Sequence, residues 1–278
     1  LDLANVSGFK ALDTTGLDKY LNTEGTLESF DRLTISGKNF PNPAVFEPNT
    51  DKFLKDFIPF KVVSPINQDS ADLSAVLSLF TSGLTSEGAY SLSINDEELK
   101  KVGLDNPDLT VKIEVGGKNK TFKISKVDDE FCAVISDESR MIEKVSLSYI
   151  SFINYSVENF YSKWVFLRTI DELNTMTFDL GDTKYSFDIS YTESDDVKTY
   201  HIKLGDKKLT AENFQDFYTE FISLQASDFI TEQTDLAPEL TVTMNYKDGR
   251  TEVISFTRTA PTKLSRRKEP PTTASRCR

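Results

Sequence analysis

The chain has 278 residues, long for a single core and comfortable for two units of roughly 100 to 150 residues each. Its net charge of −12 excludes a duplex nucleic-acid binder, whose affinity rests on neutralising phosphates with bases. Two cysteines and a single histidine leave little for a disulfide framework, a zinc cluster or a histidine-based catalytic triad.

Residues 1–31 are weakly patterned. The opening Leu-Asp-Leu-Ala-Asn-Val-Ser is no signal peptide, and the missing initiator Met is read as removal of something upstream. Leu33 to Ser36, Ala44 to Phe46 and Phe60 to Val63 are short strand candidates. Pro41, Pro43, Pro48, Pro59 and Pro65 confine several of them to edges or strand starts. Spacing of Leu73, Val76, Leu77 and Phe80 predicts a helix from Asp69 to Phe80.

A second short helix is expected at Asp96, whose carboxylate can cap the turn carrying Leu99 and Val102, with Gly103 ending it. Pro107 then launches an extended segment in which Leu109, Val111, Ile113 and Val115 alternate with polar residues. Gly116-Gly117 supplies the positive φ of a tight hairpin, and Phe122 and Ile124 resume the alternation. Phe131 to Ser136 and Met141 to Val145 read as further strands, followed by an expected helix from Ser146 to Tyr155.

Beyond Arg168 the strands are cleaner: Thr175 to Leu180, Tyr185 to Tyr191 and Thr199 to Leu204, separated by Gly181-Asp182 and Glu193-Ser194-Asp195-Asp196. A strong helix is predicted from Ala211 to Leu224, with Phe214, Phe217, Tyr218, Phe221 and Leu224 on one stripe. Pro238-Glu239-Leu240-Thr241-Val242-Thr243-Met244 then repeats Pro107-Asp108-Leu109-Thr110-Val111-Lys112-Ile113 at a distance of 131 residues. Asp248-Gly249 stands in for Gly116-Gly117, and the return strand Val253 to Phe256 follows one residue out of step. Upstream, Ser70-Ala71-Asp72-Leu73 and Thr210-Ala211-Glu212-Asn213 open the two matching helical segments, 140 residues apart. The sequence is therefore read as one supersecondary unit used twice, with the Asp96 helix as an insertion in the first copy.

After Phe256 periodicity stops. Arg258 to Arg278 holds seven bases and one acid, which leaves the remainder of the chain at −18. Such a tail is either an anionic-lipid or phosphate patch or an unstructured end. The expected organisation is thus 1–156 for the first unit with its N-terminal extension, 157–257 for a second, truncated unit, and 258–278 for the tail. The expected class is α+β, each unit a mostly antiparallel sheet packed with one or two helices.

No motif demands a cofactor or a metal, and none is expected. Asp128-Asp129-Glu130 and Glu193-Ser194-Asp195-Asp196 offer hard oxygens but lack the spacing of a calcium loop, so solvated turns are expected. His201 sits on an alternating strand as a surface residue. A Cys132–Cys277 disulfide is geometrically conceivable, but the tail gives it nothing to hold Cys277 in place. The candidate interaction residues are Phe160, Tyr161, Trp164 and Phe166, which crowd the junction of the two units as either buried core or a docking patch.

The run Glu98-Leu99 through Gly103-Leu104-Asp105-Asn106-Pro107, the Leu-Thr-Val hairpin after it, and the opening Lys38-Asn39-Phe40-Pro41-Asn42-Pro43 resemble family 4340 of bacterial domains of unknown function, over roughly residues 30–257. The resemblance implies an extracytoplasmic repeat domain held to the membrane by an N-terminal segment that this chain lacks. It also implies a partner at the cell envelope, such as a subunit of an ABC-type transporter. It transfers no catalytic residue. The function expected is a non-enzymatic interaction or scaffold domain; the alternative is capture of a peptide or glycan in the cleft between the units.

Overall fold

The computed structural model describes residues 11–25, 27–51, 54–229 and 235–260, with the backbone of 263–264, 266–268 and 274–277; side chains are described as far as residue 258. The chain divides into two compact units, Leu1–Ser162 and Lys163–Arg278.

In the first unit β1 (Arg32–Gly37), β2 (Phe40–Pro48), β3 (Phe60–Ser64) and β4 (Gln68–Asp69) form a meander. Helix α1 (Ser74–Thr81), strand β5 (Ser86–Ser91) and helix α2 (Asp96–Lys101) follow, then β6 (Leu109–Val115), β7 (Lys118–Lys126), β8 (Phe131–Ser136) and β9 (Ile142–Ser146). They make one nine-stranded sheet in the order β4-β3-β2-β1-β6-β7-β8-β9-β5. Every pair in it is antiparallel. The second unit repeats the meander with β10 (Leu173–Asp179), β11 (Lys184–Ser194), β12 (Val197–Leu204) and β13 (Lys207–Leu209). Helix α3 (Ala211–Ile222) and the hairpin β14 (Leu240–Tyr246) and β15 (Thr251–Phe256) follow, and β16 (Arg258–Ala260), β17 (Lys263–Leu264), β18 (Arg266–Lys268) and β19 (Ala274–Cys277) lie in the tail. Its eight-stranded sheet runs β13-β12-β11-β10-β14-β15-β19-β18.

The α+β expectation is corrected. Strands take 44% of the residues and helices 16%, so the chain is largely β. Two physical reasons stand out. Gln68 and Asp69 join the sheet as β4, so α1 begins only at Ser74 instead of Asp69. From Ser146 the chain makes a single 3-10 turn, Leu147–Tyr149, where a longer helix is predicted, because Ile150, Phe152 and Ile153 are pulled into the core from successive turns. At α2 the cap is Asn95, whose Oδ1 accepts from the Glu98 amide at 3.0 Å, while Asp96 is the first helical residue. Among the described residues no helix is long and apolar enough to cross a membrane.

Strand register extends the sequence repeat well beyond its hairpin. In β1 against β6, Leu33 faces Ile113 and Ile35 faces Val111; in β10 against β14, Met176 faces Met244 and Phe178 faces Val242. Because Val111 and Ile113 are the counterparts of Val242 and Met244, Leu33 corresponds to Met176 and Ile35 to Phe178. One strand further out, Leu33 faces Phe46 and Met176 faces Phe187, so these two phenylalanines also correspond. At the hairpin tip Val115 pairs with Lys118 across Gly116-Gly117, whereas Tyr246 reaches Arg250 across Lys247-Asp248-Gly249. That extra loop residue is why the second return strand runs one residue out of step.

Each unit has its own core. In the first, the inward residues of β6 and β7 (Leu109, Val111, Ile113, Phe122 and Ile124) are fully buried. In the second, Met176, Ile189, Ile202, Val242, Met244 and Ile254 pack beneath Phe214, Tyr218 and Phe221 of α3. Alternation with one buried face is what sets these registers, since a one-residue slip would turn every apolar side chain to water.

Candidate functional site: the aromatic groove at a sheet edge

The four sequence-selected aromatics divide between the two units. Phe160 is 2% exposed and belongs to the first core, its ring 5.4 Å from Phe46, 5.6 Å from Tyr155 and 6.4 Å from Phe40. Tyr161 is buried beside it, and burial pushes its hydroxyl up to about 12. Phe166 is buried in the second core against Tyr218 and Phe221. Trp164, 37% exposed, forms a one-residue antiparallel bridge with Gln225. Three of the four are thus core residues, and only Trp164 presents a substantial surface.

The segment carrying Phe160 also has a backbone role. It runs antiparallel along the outer edge of β4, with Ser70 bridged to Tyr161. The Ala71 amide donates to the Phe160 carbonyl at 2.8 Å, and the Ser162 amide donates to the Asp69 carbonyl at 2.8 Å. Gln68 Nε2 adds a bond to the Ser162 carbonyl at 3.3 Å. This segment closes the edge of the first sheet, which would otherwise present unpaired backbone groups.

At the matching place in the second unit lies an open cavity of about 400 Å³ lined by Phe187, Lys207, Lys208, Leu209, Thr210, Asn213, Phe214 and Phe217. Its floor is β11, its wall is α3 and its rim is β13, the last strand on that side of the sheet. Phe217 is 43% exposed although its ring lies 5.4 Å from Phe178 and 6.0 Å from Phe214. Lys207 and Lys208 are exposed. The lining offers apolar area, positive charge and strand-edge backbone groups.

Sequence reasoning placed Phe214 and Phe217 on one helical stripe without separating them. A usable signal was there: the stripe Phe214, Phe217, Tyr218, Phe221 is wider than a helix needs to cover one sheet, and Lys207-Lys208-Leu209 precedes it directly.

Several polar and ionisable groups outside the groove are tied into the fold. Asp171 accepts from Lys198 and Tyr200; burial opposes its ionisation, and those two hydrogen bonds outweigh it and hold the carboxyl below its usual range. Tyr246 donates to Glu252 at 2.6 Å, while burial and then Glu252 push the phenol far above its usual value. Cys132 is free and buried, and burial raises its thiol to about 12; Cys277 falls outside the described side chains. His201 is exposed, with Nε2 3.2 Å from Thr192 Oγ1. The acidic turns are structural: Asp128 accepts from the Glu130 and Phe131 amides at 2.9 and 2.7 Å, and Asp195 and Asp196 take the positive φ of a two-residue hairpin loop. Among the described residues no group of three or more His, Cys, Asp or Glu could hold a metal ion.

No family model matches the chain, and no curated protein and no solved structure matches it.

Proposed function

We propose that this chain is a non-enzymatic interaction module that docks a protein partner through the groove between β13 and α3. The observation that supports this reading is the groove itself. Phe217 stays substantially exposed beside Phe187 and Phe214, at a sheet edge that begins with two lysines. Apolar area of this kind next to a strand edge is what peptide-recognition domains use, with main-chain hydrogen bonds giving affinity and side-chain pockets giving selectivity. The family resemblance supports an extracytoplasmic setting for the module and a partner at the bacterial envelope, such as a transporter subunit.

A displayed-peptide library panned on the immobilised chain tests the reading. Enriched ligands should lose binding to Phe217→Ser, an exposed-site change that leaves the melting temperature near that of the parent. Absence of any enriched ligand would refute the docking role. So would hydrolysis by the purified chain of a member of a broad substrate panel, abolished by one acidic-residue substitution.

A further inference from the structure

The two units carry the same edge in two states, and the comparison identifies what the open one accepts. Register fixes the correspondence residue by residue. Phe46 faces Val62 and Phe187 faces Leu204; Val62 pairs with Gln68 and Leu204 with Lys207. Lys61 pairs with Asp69 and Lys203 with Lys208. Hence Gln68 corresponds to Lys207, Asp69 to Lys208, Ser70 to Leu209 and Ala71 to Thr210, one residue off the sequence match of Ser70 with Thr210, because strand pairing and not the start of the helix fixes the edge. In the first unit the Phe160 ring covers Phe46, which is fully buried, and the strand from Phe160 to Ser162 pairs with Asp69 to Ala71. In the second, Phe187 is only partly buried and lines the open cavity, at the very position that Phe160 fills over Phe46.

Resting on the docking role argued above, we propose that the β13–α3 groove binds an extended peptide segment of a partner protein by strand addition, antiparallel to β13, with an aromatic side chain seated on Phe187 and Phe217. The Thr210 amide donates to the carbonyl of that aromatic residue, as Ala71 does to Phe160. The Lys208 carbonyl accepts the amide two residues on, as Asp69 does from Ser162. Ser70 is bridged to Tyr161 and Asp69 bonds Ser162, so by the same register Lys208 and Lys207 face the second and third residues beyond the aromatic one and, pairing with no carboxylate among the described residues, select an acid there. The same lysines guard the short edge against indiscriminate strand pairing.

A second copy of the chain is a poor source for this strand, because its own Phe160 segment is already spent on the β4 edge. The chain's basic tail is a poor one too, since seven bases would meet two lysines.

The probe is a labelled peptide with the sequence of Ser156 to Ser162 in which glutamate or, for comparison, lysine replaces the final serine, the position opposite Lys208, titrated against the full chain by fluorescence anisotropy. Saturable binding is expected, lost when the peptide's phenylalanine is replaced by alanine and reversed in its charge preference by Lys208→Glu. The decisive variant is Thr210→Pro. Thr210 sits at φ −68°, which proline adopts without strain, and its side chain makes no capping bond, so only the donor is removed. Affinity should fall about 10-fold, the loss of one hydrogen bond at an otherwise desolvated carbonyl. A peptide N-methylated at the residue two beyond its phenylalanine leaves the protein untouched and should show a comparable loss. No saturable binding, or equal affinity for Thr210→Pro and the parent, overturns strand addition. So does dimerisation in sedimentation that Phe217→Ser abolishes, which would give the groove to a second copy. Library ligands that ignore Thr210→Pro but need Phe217 would overturn strand addition alone, leaving the docking role in place.

Discussion

Replacing Phe160 by alanine tests whether the Phe160 segment holds the first unit's edge closed. The side chain is 2% exposed and touches the rings of Phe40, Phe46 and Tyr155, so its removal leaves a cavity roughly the size of a benzene ring between rigid aromatic walls. Truncations of this kind cost about 3–5 kcal/mol, the upper end applying where the walls cannot collapse. Collapse is hindered here, because Phe46 is fixed in β2 by its pairing with Leu33 and Val62. For a unit of this size each kcal/mol lowers the melting temperature by about 2–4 °C, so a fall of roughly 10 °C is expected. Calorimetry reads it as a shift of the first unit's transition with the second unchanged. Hydrogen exchange supplies an independent signature, since the Ala71 and Ser162 amides bonded to this segment should lose protection first. A loss below about 1 kcal/mol, with both amides still protected, would refute the claim that the ring is what keeps the edge closed.

Gly37→Ala should destabilise by about 3 kcal/mol or prevent folding, because an added Cβ would stand 2.0 Å from the Asp108 carbonyl oxygen. Gly117→Ala, where nothing lies within 4 Å, should cost only the strain of its positive φ, about 1–2 kcal/mol; equal losses in chemical denaturation would contradict the steric argument. Glu143 is buried on β9, and burial raises its carboxyl above the usual range, so the folded state holds that proton more tightly than the unfolded one. Stability from this group is complete below the ordinary glutamate range and is lost as pH rises through the raised value, so Glu143→Gln should stabilise at neutral pH and have no effect near pH 3. A denaturation series over pH in which the two proteins stay parallel would count against this. Trp164→Ala should leave the fold intact with a loss of about 1–2 kcal/mol, well below that of Phe166→Ala at 3 kcal/mol or more, and urea titrations giving the opposite order would reverse the assignment of exposed and core aromatics.

Local pattern alone determined the β-hairpins. In Leu109 to Val115 and Leu240 to Tyr246 every second residue is apolar and a glycine-bearing loop follows, so strand, facing and turn position are encoded within a dozen residues. The repeat was legible for the same reason, down to the extra loop residue before Arg250. Tertiary structure decided which strands meet. The pairing of β1 with β6 and of β10 with β14 joins residues about 60 to 80 positions apart, and no local periodicity carries that information. It also decided the fate of the short edges β4 and β13, two and three residues long and too brief to show alternation. Phe46 and Phe187 make the point at the site itself. Both are phenylalanines facing inward on equivalent strands, yet one is sealed and the other lines an open groove, because burial depends on whether a distant segment arrives to cover the ring.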